Sequence, residues 1–460
     1  MNTMSMWTTA LPTVVVSALI MAQSAQALPV TTLHSFDGTD GSEPLAGLTQ
    51  GINGDFYGTT SGFAVLSTYG TVFKITPSGK LTTLHTFDGT DGQGPTAVLI
   101  LATNGDFYGT TGLGGANDNA GTVFKITPGG TLTSLYSFCS QTDCADGDGP
   151  AALIQAANGD FYGTTPSGGA HNDGTFFKMT PGGTLTTLYS FDKTDGEGPY
   201  GVIQATNGTF FGTTSAGGAN GGGTVFKITP AGALTTLYSF CSQAACADGK
   251  TPAAGLIQGA DGNFYGTTSA GGAQFYFGTV FKITPGGTLT TLHSFDKTDG
   301  AFPMAGLIQA TDGNFYGTTS GSGTAHGGTL FEITSGGTLT TLVRIFDAAA
   351  LLQGTNGELY GATAGGGANN DGIVFRLSVG LGPFVDAQPS AGAVGAAVKI
   401  LGTDLLGSTS VTFNDTAATF TVVSASEITT SVPAGATTGL VEVTTLQGTL
   451  DSNKIFTVKP

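Results

Sequence analysis

A phenylalanine within a GTVFKITP-like segment recurs at Phe73, Phe124, Phe177, Phe226, Phe281, Phe331 and Phe375. No other feature constrains the fold as strongly, because periods of this length mark repeat architectures. An FYGTT-like segment recurs in step at Tyr57, Tyr108, Tyr162, Phe211, Tyr265, Tyr316 and Tyr360. An LTTLHSF-like segment ends at Phe36, Phe87, Phe138, Phe191, Phe240, Phe295 and Phe346, and an AGLIQ-like segment opens each unit. Each unit therefore holds four short runs: A (AGLIQ), B (FYGTT), C (TVFKI) and D (LTTLHSF). Runs A and B meet at Asn53-Gly54, Asn104-Gly105, Asn158-Gly159, Asn207-Gly208, Asp261-Gly262, Asp312-Gly313 and Asn356-Gly357. Such pairs predict type I′ hairpin turns. Runs C and D meet at Pro-x-Gly turns such as Pro77, Pro128 and Pro285. Four antiparallel strands per unit, arranged radially, predict an all-β seven-bladed β-propeller.

The order of the runs predicts closure. The first D strand, 31–36, precedes any A strand, and the seventh unit, 348–378, ends after C. The N-terminal strand is expected to complete the last blade, which favours a closed ring over an open solenoid. The expected domains are a signal peptide at 1–27, the propeller at 28–379 and a second domain at 380–460. Residues 1–27 carry no charged side chain, and an apolar stretch at 11–22 precedes Ala25-Gln26-Ala27, a small-x-small cleavage site. That stretch is too short for a membrane anchor, which needs about 20 residues, and no later segment qualifies. A secreted or cell-surface protein is expected, with no transmembrane segment in the mature chain.

Composition agrees and excludes several partners. Gly supplies 76 of 460 residues and only 10% are charged, yet 39% are hydrophobic, as in a folded chain of short strands and tight turns. A net charge of −17 argues against nucleic acid or an anionic membrane as partner.

The run GTVFKITPGGTLTTLYSF, followed by GPxAxLIQAxNGDFYGTT, resembles the GloVer-type tandem repeat of bacterial exported proteins over 30–379. That resemblance implies export and no established activity. After Leu381-Gly382-Pro383 the repeat ends, and the remaining segment is similar to an IPT/TIG domain, an immunoglobulin-like β-sandwich. Period-two runs at Ala397–Leu401, Ser410–Phe413, 419–423 and 440–444 agree with it. Such domains are mostly spacers or contact modules.

The four cysteines form two copies of Phe-Cys-Ser-Gln-x-x-Cys-Ala-Asp-Gly, predicting local disulfides Cys139–Cys144 and Cys241–Cys246 rather than a shared zinc ion. His34, His85 and His293 stand where other units have Tyr136, Tyr189 and Tyr238, so they read as packing. A propeller followed by an immunoglobulin-like domain is similar to the layout of galactose oxidase. The likeness is architectural, since no pair of non-repeat histidines suits its copper. No catalytic residue, cofactor or metal is expected. Calcium is the alternative raised by the aspartates that recur in the D-to-A loops (Asp37 and Asp40, Asp88 and Asp91), with Asx turns before Gly the favoured reading of them. Gln50 and its repeats are expected to satisfy backbone groups around the channel, and Lys74 and its repeats to form a solvated strand face.

The sequence thus favours a non-enzymatic module binding a glycan or a surface protein. A carbohydrate lyase or hydrolase in the propeller mouth, or a structural adhesion component, are the alternatives. The B-to-C and D-to-A loops share one face and carry the off-pattern side chains. Phe63, Tyr69, His171, Tyr200, Phe275, Tyr276, Phe277, Phe302 and His326 are the ligand-binding candidates. Phe275, Tyr276 and Phe277 are expected on the face of the disulfide loops, with at least one ring exposed.

Overall fold

The computed structural model describes residues 28–62, 69–321 and 327–459. The expected signal peptide lies outside them. Among the described residues the repeat region forms seven four-stranded antiparallel sheets, a propeller-like repeat fold. Each runs in the order A-B-C-D; the third consists of Ala152–Gln155, Phe161–Thr165, Thr175–Met179 and Leu185–Ser190. The last sheet takes its outer strand from the other end of the chain. Thr31–Ser35 pairs antiparallel with Ile373–Leu377, which continues to Leu359–Thr363 and Leu352–Gln353.

The sheets are joined by aromatic stacking. The B-strand tyrosine of one sheet (Phe211 in the fourth) lies on the B-strand phenylalanine of the next, except where Leu359 stands in the seventh: Tyr57 on Phe107 at 4.0 Å, Tyr108 on Phe161 at 4.2 Å, Tyr265 on Phe315 at 4.0 Å. Tyr360 of the last sheet meets Phe56 of the first at 4.0 Å. Such pairs contribute about 0.5–1.5 kcal/mol beyond their buried area. A second ring of contacts comes from the A-strand glutamines, as expected. The Gln155 carbonyl accepts the Thr103 N–H at 2.9 Å, and its amide donates to Gly159 O at 3.1 Å. Gln204, Gln258, Gln309, Gln353 and Gln50 likewise accept from the turn of the preceding sheet. The second sheet has Leu101 at this position.

The A-to-B turns differ from the type I′ expectation. Gly51 N–H donates to Asp55 O and Gly54 N–H to Gly51 O, and Gly54 alone takes positive φ, +83°. This is a three-residue loop: a turn closed by a glycine bulge, which lets Asn53 keep ordinary φ. Asn53 instead uses its side chain, accepting from Asp55 N and donating to the Tyr57 hydroxyl. The C-strand lysines are also less free than expected. Lys178 pairs at 2.7 Å with Asp160, the acid following its turn, and Lys282 pairs at 2.8 Å with Asp261, a residue of the turn itself. In the sixth sheet the D strand departs from the alignment. Val343 takes the register of His85, Ile345 fills the buried place, and Phe346 turns outward, 45% exposed. One residue more in this run, LTTLVRIF, causes the shift.

The C-terminal region is a β-sandwich with its own core. One sheet orders Asp386–Gln388, Ala397–Leu401, Glu427–Ser431 and Phe420–Val422. The other orders Thr416–Ala417, Ser410–Phe413, Val441–Thr445 and Gly448–Asp451. Val398, Ile400, Phe413, Val443 and Phe456 pack between them. The sandwich rests on the A-to-B turns: Ser426 Oγ donates to Ile52 O at 3.1 Å, Thr403 and Thr355 hydroxyls meet at 2.8 Å, and Lys459 Nζ reaches Ala157 O at 3.1 Å. In an antiparallel meander the B-to-C and D-to-A loops emerge at the opposite end. That face is left open.

Candidate functional site

The open face surrounds a cavity of about 970 Å³, within the usual ligand-pocket range of ~300–1,000 Å³. Its wall is built from the start of every A strand. A proline enters each of the first six, and the next two residues line the cavity: Leu45-Ala46, Thr96-Ala97, Ala151-Ala152, Tyr200-Gly201, Ala253-Ala254 and Met304-Ala305. The last sheet supplies Ala348, Ala349 and Ala350. The proline is held by glycine: Gly70, at φ +99°, lies where a β-carbon would come within 2.7 Å of Pro95 Cδ and press against Thr60 O. The same packing joins Gly372 to Pro44 across the closure. Small residues at the second position keep the cavity open, while the first varies from Ala to Tyr.

Chemically the wall is plain. Ser269 and Ser320 donate their hydroxyls to Thr251 O and Phe302 O, both at 2.9 Å. Among the described residues Asp347 is the one carboxylate of the lining, and partial desolvation raises it from the ordinary carboxylate value. Among the described residues no group of three or more His, Cys, Asp or Glu is arranged to hold a metal. The loop aspartates are engaged locally. Asp91 Oδ2 lies 2.7 Å from His85 Nε2 and its Oδ1 accepts the Asp88 N–H at 3.0 Å, while Asp88 Oδ1 accepts from Thr90. His34–Asp40 and His293–Asp299 repeat this at 2.7 Å. Where tyrosine replaces histidine, the phenol donates to aspartate instead, Tyr136 to Asp146 at 2.6 Å. Burial, then the Asp146 bond, pushes the Tyr136 phenol up to about 12.

Both cysteine pairs, Cys139–Cys144 and Cys241–Cys246, are within disulfide range, with Cα atoms 4.0 Å apart. They shape this face. Cys144 O accepts Gly169 N–H and Cys246 O accepts Gly272 N–H, both at 2.9 Å, tying each D-to-A loop to a B-to-C loop. Phe275 N–H in turn donates to Gly272 O, so the aromatic triplet sits on the disulfide face. Phe275 and Tyr276 are 52% and 66% exposed. Phe277 turns inward, meeting Phe302 edge-on at 6.2 Å.

The sequence-derived candidates thus divide. Tyr200 and Phe302 line the cavity. Tyr69, over Gly89, and His171 are exposed on the same face outside it, as are Phe275 and Tyr276. Phe63 and His326 lie outside the described residues. Leu45, Val98, Met304 and Asp347 were not anticipated. The varying residue after each entering proline was the signal that could have found Leu45 and Met304.

No curated protein matches the sequence. Among solved structures, a fungal alcohol oxidase of the AA5 family, in complex with copper, is similar at 13% identity and TM-score 0.57; the match covers 95% of this chain and 100% of that one. The extracellular domain of a protein described as a one-component system of B. thetaiotaomicron is similar at 12% identity and TM-score 0.51, covering 95% of this chain and 58% of that one. At such identity the likeness is one of fold alone. No helix among the described residues is long and apolar enough to cross a membrane. The Gloeobacter/Verrucomicrobia repeat pattern matches residues 19–201 and 149–350, and the IPT/TIG domain pattern matches 384–457. The repeating sheets are the folded form of that pattern, and the chain belongs to the Gloeobacter/Verrucomicrobia repeat family, with a C-terminal IPT/TIG domain.

Proposed function

We propose that the chain is an exported, non-enzymatic seven-bladed β-propeller (28–379) that binds a glycan or a protein outside the cell through its open face. The sandwich at 380–460 acts as spacer on the opposite face, and 1–27 direct export. One observation carries this reading. Ten large hydrophobic side chains of the repeat region are exposed among the described residues: Leu45, Tyr69, Val98, Leu113, Tyr200, Phe275, Tyr276, Phe302, Met304 and Phe346. All belong to the B-to-C or D-to-A loops or, for Tyr200, the outer end of an A strand. Exposed apolar groups gathered on one face mark interaction sites. The cysteine pairs in disulfide range fit an oxidising compartment.

Tyr200, Phe302 and Met304 serve as central contacts; Phe275, Tyr276, Tyr69 and His171 extend them outward. Screening the chain and its Tyr200→Ala/Phe302→Ala variant on glycan and peptide arrays tests the proposal. Ligands retained by the parent and lost by the variant, at unchanged thermal midpoint, are expected. Retention by both overturns the assignment of the open face.

A further inference from the structure

The charge of the chain is concentrated on the open face. Eighteen of the 31 acidic residues, but only three of the 14 basic ones, lie in the D-to-A and B-to-C loops, Glu197 at the outer end of its A strand included. These loops carry −15 of the chain's −17; the remainder is nearly neutral. The three cations are Lys193, Lys250 and Lys297. An acidic collar around a low-dielectric cavity attracts cations and excludes anions over distances well beyond contact.

The cavity wall discriminates in another way. A glycan presents hydroxyls on every side, and each one buried without a partner costs free energy. Of the lining hydroxyls among the described residues, those of Ser269 and Ser320 are already donated, which leaves Thr96 and Tyr200. Apolar side chains lose nothing against Leu45, Val98, Met304 and the alanines, and gain about 25 cal/mol per Å² removed from water. Asp347, at the rim beside Ala348, makes no side-chain hydrogen bond among the described residues and offers an ammonium or guanidinium a partner.

Resting on the binding role proposed above, we infer that the occupant is a polypeptide segment carrying lysine or arginine beside apolar side chains. The apolar groups enter the cavity and the cations meet the collar and Asp347. Charge draws the segment in, and the wall selects a protein over a neutral glycan.

Fluorescence anisotropy of the full chain with labelled peptides of equal length tests this. The probes are a Lys/Leu/Gly peptide, a Lys/Ser/Gly peptide of the same charge and a Glu/Leu/Gly peptide, with soluble cello- and chito-oligosaccharides as competitors. The Lys/Leu/Gly peptide is expected to bind at least about tenfold tighter than either control. Its affinity should fall about tenfold on raising salt to ~0.5 M and fall similarly in Tyr200→Ser/Met304→Ser. Equal affinity for the Lys/Ser/Gly peptide, no measurable Lys/Leu/Gly binding, or affinity untouched by the variant overturns the inference. Oligosaccharide binding that the same variant abolishes also overturns it, yet leaves the open-face reading standing. Array ligands retained by the open-face variant would instead remove the reading itself.

Discussion

The side-chain carbonyl of Gln50 accepts the backbone N–H of Thr355 at 3.0 Å, joining the first repeat to the last across 305 positions. Thr355 is 1% exposed because the sandwich covers it, Thr403 meeting its hydroxyl and Phe384 N–H its carbonyl. Thr103, held by Gln155 in the same way, is exposed. Gln50→Leu strands a buried donor, a loss of about 1–3 kcal/mol; Gln155→Leu frees an N–H that water can take, a loss of about 0.5 kcal/mol or less. Denaturant titration of the two variants should separate them in that order. Equal losses would mean that the closure is no more buried than the other seams.

The histidine–aspartate and tyrosine–aspartate pairs do the same work at the same register. His85→Tyr should therefore be tolerated within about 0.5 kcal/mol, as on surfaces away from special features. His85→Phe should cost about 1–2 kcal/mol, since Asp91 loses a charge-assisted partner. Thermal unfolding distinguishes the two. A His85→Tyr variant as damaged as His85→Phe would contradict the equivalence.

Each cysteine pair closes a loop with a sequence separation of 5. Chain entropy assigns such a loop about 2 kcal/mol. The Cys241→Ala/Cys246→Ala variant should lose about that much and show faster hydrogen exchange at Gly272 and Phe275, whose amides hang from Cys246 O in succession. Unaltered exchange there would show that the pair does not support the aromatic loop.

Alkaline pH tests the tyrosine network. Burial, with Asp146 as second cause, raises Tyr136 to about 12; Tyr189, Tyr238, Tyr265 and Tyr316 are also raised, by burial first and an aspartate partner second or third. A phenol raised in the folded state adds stability that is fully present below its unfolded value of about 10. That stability is lost as pH climbs through the folded value. Phenolate absorbance should rise in two stages, the second coinciding with loss of near-ultraviolet dichroism. A single step of all 12 tyrosines with the fold intact would contradict the network.

The repeat made the strands legible, because seven copies of one pattern average away local accidents. It also carried the closure, since a chain that starts with D and ends with C has one economical partner for each. Sequence failed where a copy departs from the pattern. The longer run before Phe346 shifts a ring outward, and Asn53 looks like a type I′ residue although its side chain caps instead. The cavity was less legible still. Leu45, Val98 and Met304 have the composition of a core, and only the sheet geometry turns them into a mouth. Likewise, the acidity of the open face emerges once the loops are assigned to one side of the ring.

The central claim, that ligands enter at the open face, can be read from a single fluorophore. Trp7, the one tryptophan of the sequence, falls in the expected signal peptide, so its removal with that peptide, or Trp7→Phe where the peptide is retained, provides a silent background. Phe302→Trp then reports from the cavity wall, and Ser78→Trp from an exposed C-to-D turn on the opposite face. Titration with an array-selected ligand should shift or quench the emission of Phe302→Trp and leave that of Ser78→Trp unchanged. A response from Ser78→Trp alone, or from neither while anisotropy still records binding, would contradict the account.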